Sequence, residues 1–231
     1  MTLLEAIRER RSIRRYQRRD IPEDILQCLR DTADACNSES GLSIQIITNE
    51  PTAFDTRLAH YGKFDGVENY IAIVGKKKAK NLHETAGYYG EGLVLLCQQL
   101  GLRTCWVALT YRKNKKAVKI GRDERLVCVI SFGYGAEDGH VHRNKSFESV
   151  TKFEGECPEW FRNGIEAALL APTAINQQQF RFTLLPETDR KSGKPLIKAT
   201  ARIGYYSHID LGIVKLHFEI GAGRNNFCWK E

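Results

Sequence analysis

Three short stretches of this 231-residue chain carry side chains suited to holding an anion and a polar ring edge. In "RRSIRRY", Arg10 to Tyr16, Arg10 and Arg14 lie four residues apart with Ser12 between them. A turn there can aim two guanidiniums and a hydroxyl at one point, and arginine binds phosphate through paired hydrogen bonds. In "HVHRNKS", Arg143 and Lys145 alternate outward and can close the same anion site. In "APTAINQQQF", Ala171 to Phe180, Asn176 and Gln178 each bring a donor pair and an acceptor. Such a row either lines a polar loop or reads an edge of alternating donors and acceptors. The net charge of +7 fits a phosphate-bearing partner, a nucleotide or a nucleic acid. The same "RRSIRR" also reads as a solvated turn or a nucleic-acid patch, and "GKKKAK" at 75–80 as a solvated lysine excess.

Composition removes several other classes. Seven cysteines form no CxxC pair, and Cys28, Cys36, Cys97, Cys105 and Cys128 sit in apolar runs. They read as free structural thiols without basic neighbours, in a reducing, cytoplasmic setting. No Cys/His cluster has ligand spacing, so no metal site is expected. No apolar run approaches the roughly 20 residues of a membrane helix. The N-terminus has no signal-peptide layout, and Glu5, Glu9 and Asp20 break the arginine-rich start that a transit peptide would need.

The elements that position these motifs repeat. "TLLEAIRERRS" predicts a short helix. "IPEDILQCLRDTADAC" predicts a second, with Pro22 and Glu23 in its first turn. "LSIQIIT", "YIAIVG", "TCWVALT" and "LVCVISFGYG" predict strands, and "GYYGEGLVLLCQQLGL" a largely apolar helix stopped at Gly101. The helices at 22–36 and 158–172 both open Pro-Glu and run into a polar corner and an alternating strand. "GEGLVLLCQQLG" at 90–101 lies over "DLGIVKLHFEIG" at 210–221, with Gly92 on Gly212 and Gly101 on Gly221. Cys105-Trp106 and Cys228-Trp229 follow in turn. Two related halves are expected, 1–150 and an abbreviated 151–231, packed as one unit along their buried helices. Within those helices His217 reads as a packed core histidine, Glu91 as facing the seam, and Asp210 and Glu219 as capping and solvating groups.

With these motifs in order, the sequence resembles the nitroreductase family of FMN-dependent oxidoreductases over nearly its whole length. It is closest to a subgroup with two copies fused in one chain, through "IDLGIVKLHFE" at 209–219. The resemblance implies FMN as cofactor. Arg10, Ser12, Arg143 and Lys145 would serve the ribityl phosphate. Arg14 would reach the pyrimidine edge, where a fixed cation stabilises the charge of the reduced ring. Asn176 and Gln178 would cover the flavin and ribityl chain from the opposite half, on the small-sided approach of Pro172, Thr173 and Ala174. The backbone N–H of Leu109 or Thr110 would meet flavin N5. Two departures stand out: Gln178-Gln179-Phe180 replaces the family's Gln-Pro-Trp, and Ala108 and Leu109 replace glycines, narrowing the space over the ring.

The expected fold is α+β, a mixed, mainly antiparallel sheet flanked by helices, as an internal pseudo-dimer that is monomeric or weakly associated. The expected activity passes electrons from NAD(P)H through the flavin to an electron-poor small molecule, with no side-chain acid or base and no nucleic-acid or membrane partner. The alternative is a flavin-binding or interaction protein of the same fold with little or no turnover.

Overall fold

The computed structural model describes residues 1–55, 62–112, 114 and 116–230. Two four-stranded sheets flank a central pair of helices. The first is wholly antiparallel, in the order β1 (Ser43–Ile47), β2 (Asn69–Lys76), β4 (Glu124–Gly133), β3 (Arg103–Val107). Alternating or continuous apolar residues, such as Ile71, Ile73 and Ile130, fill its buried positions. The second runs β5 (Thr151–Lys152), β6 (Phe180–Thr188), β7 (Pro195–Ala201), β8 (Cys228–Trp229); β6 and β7 are antiparallel and both edge strands are parallel. The expected single mixed sheet is therefore two sheets, only one of them mixed.

Among the described residues the α-helices are α1 (Leu3–Glu9), α2 (Glu23–Ser40), α3 (Leu82–Gln99), α4 (Phe147–Val150), α5 (Glu159–Leu169) and α6 (Ser207–Ala222). Thr2 and Glu5 form a capping box that starts α1. α2 runs on to Ser40, so Asn37 and Ser38 are helical rather than part of the polar corner expected there. Asn37 instead closes a two-way amide bond with the Ile44 backbone. At the end of α3, Gly101 takes φ +78° while its N–H donates to Gln98 O and the Leu102 N–H to Cys97 O. That is the left-handed stop the glycine predicted.

The apolar helices α3 and α6 pack against each other at backbone distance. A Cβ on Gly87 would lie 2.0 Å from Ile209 O, and one on Gly212 1.9 Å from Glu84 O. The contacts are reciprocal. Gly87 meets Ile209 and Ile213, and Gly212 meets Glu84 and Tyr88. A shift of 125 residues carries 84, 87 and 88 onto 209, 212 and 213. The same shift relates Glu91 against His217 to Gly92 against Leu216. The sequence match of Gly92 with Gly212 is a shift of 120 residues, whereas the contacts between the two helices follow 125. Gly221 is likewise no stop: α6 passes through it, the missing Cβ admits Asn163 O, and the chain turns at Gly223, φ +76°.

Candidate active site

The arginine turn is held in place by backbone pairing. The Ile13 N–H donates to Thr104 O, the Asp65 N–H to Arg14 O and the Tyr16 N–H to Asp65 O, each at 3.0 Å. The buried Tyr16 hydroxyl donates to Ile13 O at 2.7 Å and lies 2.9 Å from Ser131 Oγ. This lacing sets residues 12–16 along the edge of β3, with Ile13 and Tyr16 in the core and Arg14 outward.

On the other side, α5 ends and the chain makes a corner over Thr173–Gln178. Three non-glycine residues there sit in the left-handed region: Ile175 at φ 47°, Asn176 at 54° and Gln178 at 45°. For a β-branched isoleucine this is a strained conformation, worth about 1–3 kcal/mol, and it persists only where surrounding bonds over-determine it. Those bonds are present. The Gln178 N–H donates to Thr173 Oγ1 at 3.0 Å, and Ala174 N–H to Asp210 Oδ1 at 3.0 Å.

The turn and the corner meet on one cavity of about 720 Å³, well within the range of small-molecule sites. Ser12 and Arg14 line it from the turn, Leu109 and Thr110 from the segment after β3, and Pro172, Thr173 and Ala174 from the corner. Phe64, Trp106, Tyr205 and Tyr206 add aromatic wall, and Ile209, Asp210 and Ile213 close it from α6. β3 ends at Val107, so Ala108–Thr110 is irregular chain rather than the strand expected to pass the ring. Leu109 lines the cavity and is 67% exposed.

The remaining predicted residues form a cluster outside the cavity lining. Gln178 is buried, and its amide is engaged internally: Nε2 donates to Leu169 O at 2.8 Å and Oε1 accepts the Lys145 N–H at 2.6 Å. Lys145 Nζ donates to Gln178 O at 3.1 Å, and Asn176 Nδ2 to Arg143 O at 2.9 Å. These amides thus staple the 143–145 segment to the corner; the structure does not bring the Gln178 side chain to the cavity. Arg143 is exposed, and burial, then Arg202, lowers the Lys145 ammonium pKa. Arg10 is 3% exposed, with one marginal bond from Nη2 to Leu170 O at 3.5 Å and Glu91 at 3.9 Å. Its Nε, His142 Nδ1 and Asn176 Oδ1 are buried without a hydrogen-bond partner among the described residues. Burial and then Arg10 depress the His142 pKa.

Three sequence expectations change here. Asp210 is buried, not solvated. Burial lifts its carboxyl to about 6 against the opposing bonds from Gln177 and Ala174. Glu219 is buried too, accepting bonds from the Tyr88 hydroxyl at 2.5 Å, Arg224 Nε at 2.6 Å and Trp229 Nε1 at 2.7 Å. Cys105 lines the cavity and does have cationic neighbours. Burial still dominates and raises its thiol pKa, with Arg14 and Arg10 pulling it down. His217 is packed, as expected, but also bonded: its ring reaches Ala167 O and Glu91 Oε1, at 3.1 and 2.8 Å. Glu91 faces the seam and accepts from Trp106 Nε1 at 2.8 Å. Sequence reasoning left out Gln177, Trp106 and Asp210 as site residues. An aspartate inside the apolar run "HIDLGIV" was the legible signal for the last. Among the described residues no group of acidic, Cys or His side chains is placed to hold a metal, and no helix is long and apolar enough to cross a membrane.

A family model described as "Putative TM nitroreductase" matches residues 2–222, and the chain belongs to this nitroreductase family. Solved structures share the fold. A "putative nitroreductase" from Thermotoga maritima MSB8 aligns at TM-score 0.65 and 20% identity, covering 97% of this chain and 85% of that one. A "putative nitroreductase in complex with FMN" from Desulfovibrio desulfuricans aligns at 0.52 and 20% identity, over 68% and 99%. A "Putative NADH dehydrogenase/NAD(P)H nitroreductase" from Bacteroides thetaiotaomicron aligns at 0.51 and 17%, over 64% and 95%. No curated protein matches the sequence.

Proposed function

We propose that the cavity holds FMN and that the protein passes two electrons from NAD(P)H to an electron-poor acceptor such as a nitroaromatic or a quinone. The carrying observation is convergence: the Arg10–Tyr16 turn and the Thr173–Gln178 corner, some 160 residues apart in sequence, share one cavity wall with the end of β3. The residues suit the cofactor. Arg10 Nε and His142 Nδ1 are buried without a hydrogen-bond partner among the described residues, which fits an anionic group better than a closed structural network. Bound FMN supplies two-electron chemistry at its N5. Arg14, an exposed residue on the wall, has its Cζ 5.9 Å from the Phe64 ring centroid, and its cation would stabilise developing negative charge there. The aromatic and aliphatic side chains of the lining offer apolar surface to a planar guest.

The chain is further proposed to be two nitroreductase-like halves, 1–150 and 151–231, related as a fused dimer. All strands of the first sheet lie within 43–133 and all of the second within 151–229. The reciprocal α3–α6 contacts are what a two-fold seam produces. One test addresses the activity: mix the purified yellow protein with NADH or NADPH under argon. Rapid bleaching, followed by recovery on adding a quinone, is expected. The second reading, a flavin protein with little turnover, is favoured by the Leu109 side chain on the cavity lining; it predicts a yellow protein that does not bleach. A colourless protein that takes up no FMN refutes both.

A further inference from the structure

The buried carboxylate of Asp210 and the amide of Gln177 lie between two walls of the cavity, the strained corner and the Gly204–Tyr206 loop. Gln177 uses all three of its amide bonds. Nε2 donates to Asp210 Oδ2 at 2.8 Å and to Tyr205 O at 2.5 Å, while Oε1 accepts the Tyr205 N–H at 3.2 Å. Its orientation is therefore fixed, since a flip would break the pairing with Tyr205. Asp210 Oδ2 accepts from Gln177 and, at 3.2 Å, from the Ala174 N–H, which also donates to Oδ1 at 3.0 Å. Gly204 lets the loop come this close, because a Cβ there would lie 2.5 Å from Gln177 Oε1. The segments so joined supply Ala174, Ile175, Tyr205 and Tyr206 to the cavity wall, and Ile175 holds φ 47° while 83% exposed. An exposed isoleucine has no core contact to enforce that backbone, so the enforcement comes from Asp210, Gln177 and Thr173.

We infer that Asp210 and Gln177 are positioning residues for the cavity's ligand, holding the Thr173–Gln178 corner against the Gly204–Tyr206 loop so that both present one fixed wall. The inference rests on the FMN reading for the identity of that ligand. Asp210 has an unusual standing for a structural residue. Its partners are neutral, an amide and a backbone N–H, and burial raises its carboxyl to about 6. Titratable groups on the elements around it are Tyr205, Tyr206 and Arg202 of the loop, His208, Lys215, His217 and Glu219 on α6, and His83, Glu84, Tyr88, Tyr89, Glu91 and Cys97 on α3. Across the cavity stand Arg14, Lys63, Cys105 and Cys128. None is a cause of the shift. The ionised carboxylate orders the corner while it weighs against global stability. Ordering of the site and stability of the fold therefore separate, which a residue of purely structural value would not allow.

The test measures FMN affinity, melting temperature and amide hydrogen-exchange protection at Ala174 and Tyr205 from pH 5 to 8, in wild type, Asp210→Asn and Gln177→Ala. Asparagine offers one acceptor and sets an NH₂ against a donor. At pH 8 each variant is expected to bind FMN on the order of tenfold more weakly, the ratio set by one lost hydrogen bond to a charged group. Asp210→Asn should melt no lower than wild type. In wild type, protection at Ala174 should fall as pH drops through about 6, and affinity should fall more steeply than in Asp210→Asn. There the FMN phosphate, with its second pKa near 6, and His142 beside Arg10 remain as titrating groups of the site. Wild-type affinity and pH profile in Asp210→Asn overturn the inference. So does weaker binding accompanied by a lower melting temperature and an unchanged profile. Should Asp210→Asn fail to fold, Gln177→Ala decides: wild-type affinity and protection there overturn it equally. If wild type takes up no FMN, the cofactor reading fails, while the exchange data still test whether Asp210 and Gln177 order the corner.

Discussion

Replacing Gly212 with alanine should destabilise the protein, against the ordinary preference of helices for alanine. In an exposed helix interior the change gains about 1 kcal/mol. At 212 the new Cβ would sit 1.9 Å from Glu84 O and 2.6 Å from Tyr88 N, against the 3.0 Å below which such contacts do not occur. Both obstacles are helix backbone, which cannot rotate away, so α3 and α6 must separate by about 1 Å along much of their length. Overpacking of this kind costs about 3 kcal/mol, the upper end of the usual range. The net loss is about 2 kcal/mol, which for a chain of this size lowers Tm by about 4–8 °C. Gly92→Ala on the facing helix is the control: its Cβ would meet only Leu216 Cδ2, at 4.0 Å, so it should gain up to about 1 kcal/mol and melt about 2–4 °C higher. Thermal scans and urea midpoints with unchanged m-values measure both. Because Ile209, Asp210 and Ile213 line the cavity, Gly212→Ala should also weaken FMN binding. If Gly212→Ala melts at or above Gly92→Ala, the close approach of the two helices is wrong.

Arg14→Ala should leave FMN bound but harder to reduce, because it removes the cation on the cavity wall; an unchanged midpoint potential would refute that role. Arg10→Ala should cost affinity instead, by about 1.5–3 kcal/mol for each lost charge-assisted bond, read from FMN titration. Cys105→Ala should preserve the flavin spectrum and NAD(P)H bleaching and lower stability by roughly 1 kcal/mol; loss of bleaching in a folded variant would reveal a redox thiol. One FMN should bind per chain, and residues 1–150 alone should bind none, since "RRSIR" and "PTAIN" each occur once and in different halves; flavin released on denaturation, counted against protein, decides this.

Local chemistry was legible in the residues themselves. Gly101 announced the end of α3, because only a left-handed residue makes that stop. The alternation in "LSIQII" and the apolar runs around Ile71 and Ile130 announced strands, and the Arg-Ser-Arg and Pro-Thr-Ala motifs marked two walls of one site. What the sequence could not carry was partnership. Whether Gln178 turns its amide to a ligand or to Leu169 and Lys145 depends on which segment crosses behind it, a contact made 33 residues away in the chain. The helix register was hidden for a similar reason: an apolar helix matches another in several frames, and only backbone contact at Gly87 and Gly212 selects one. Asp210 looked like a capping residue because a sequence shows charge but not the solvent around it. Burial against the corner turned it into a carboxylate titrating near 6 on the wall of the cavity.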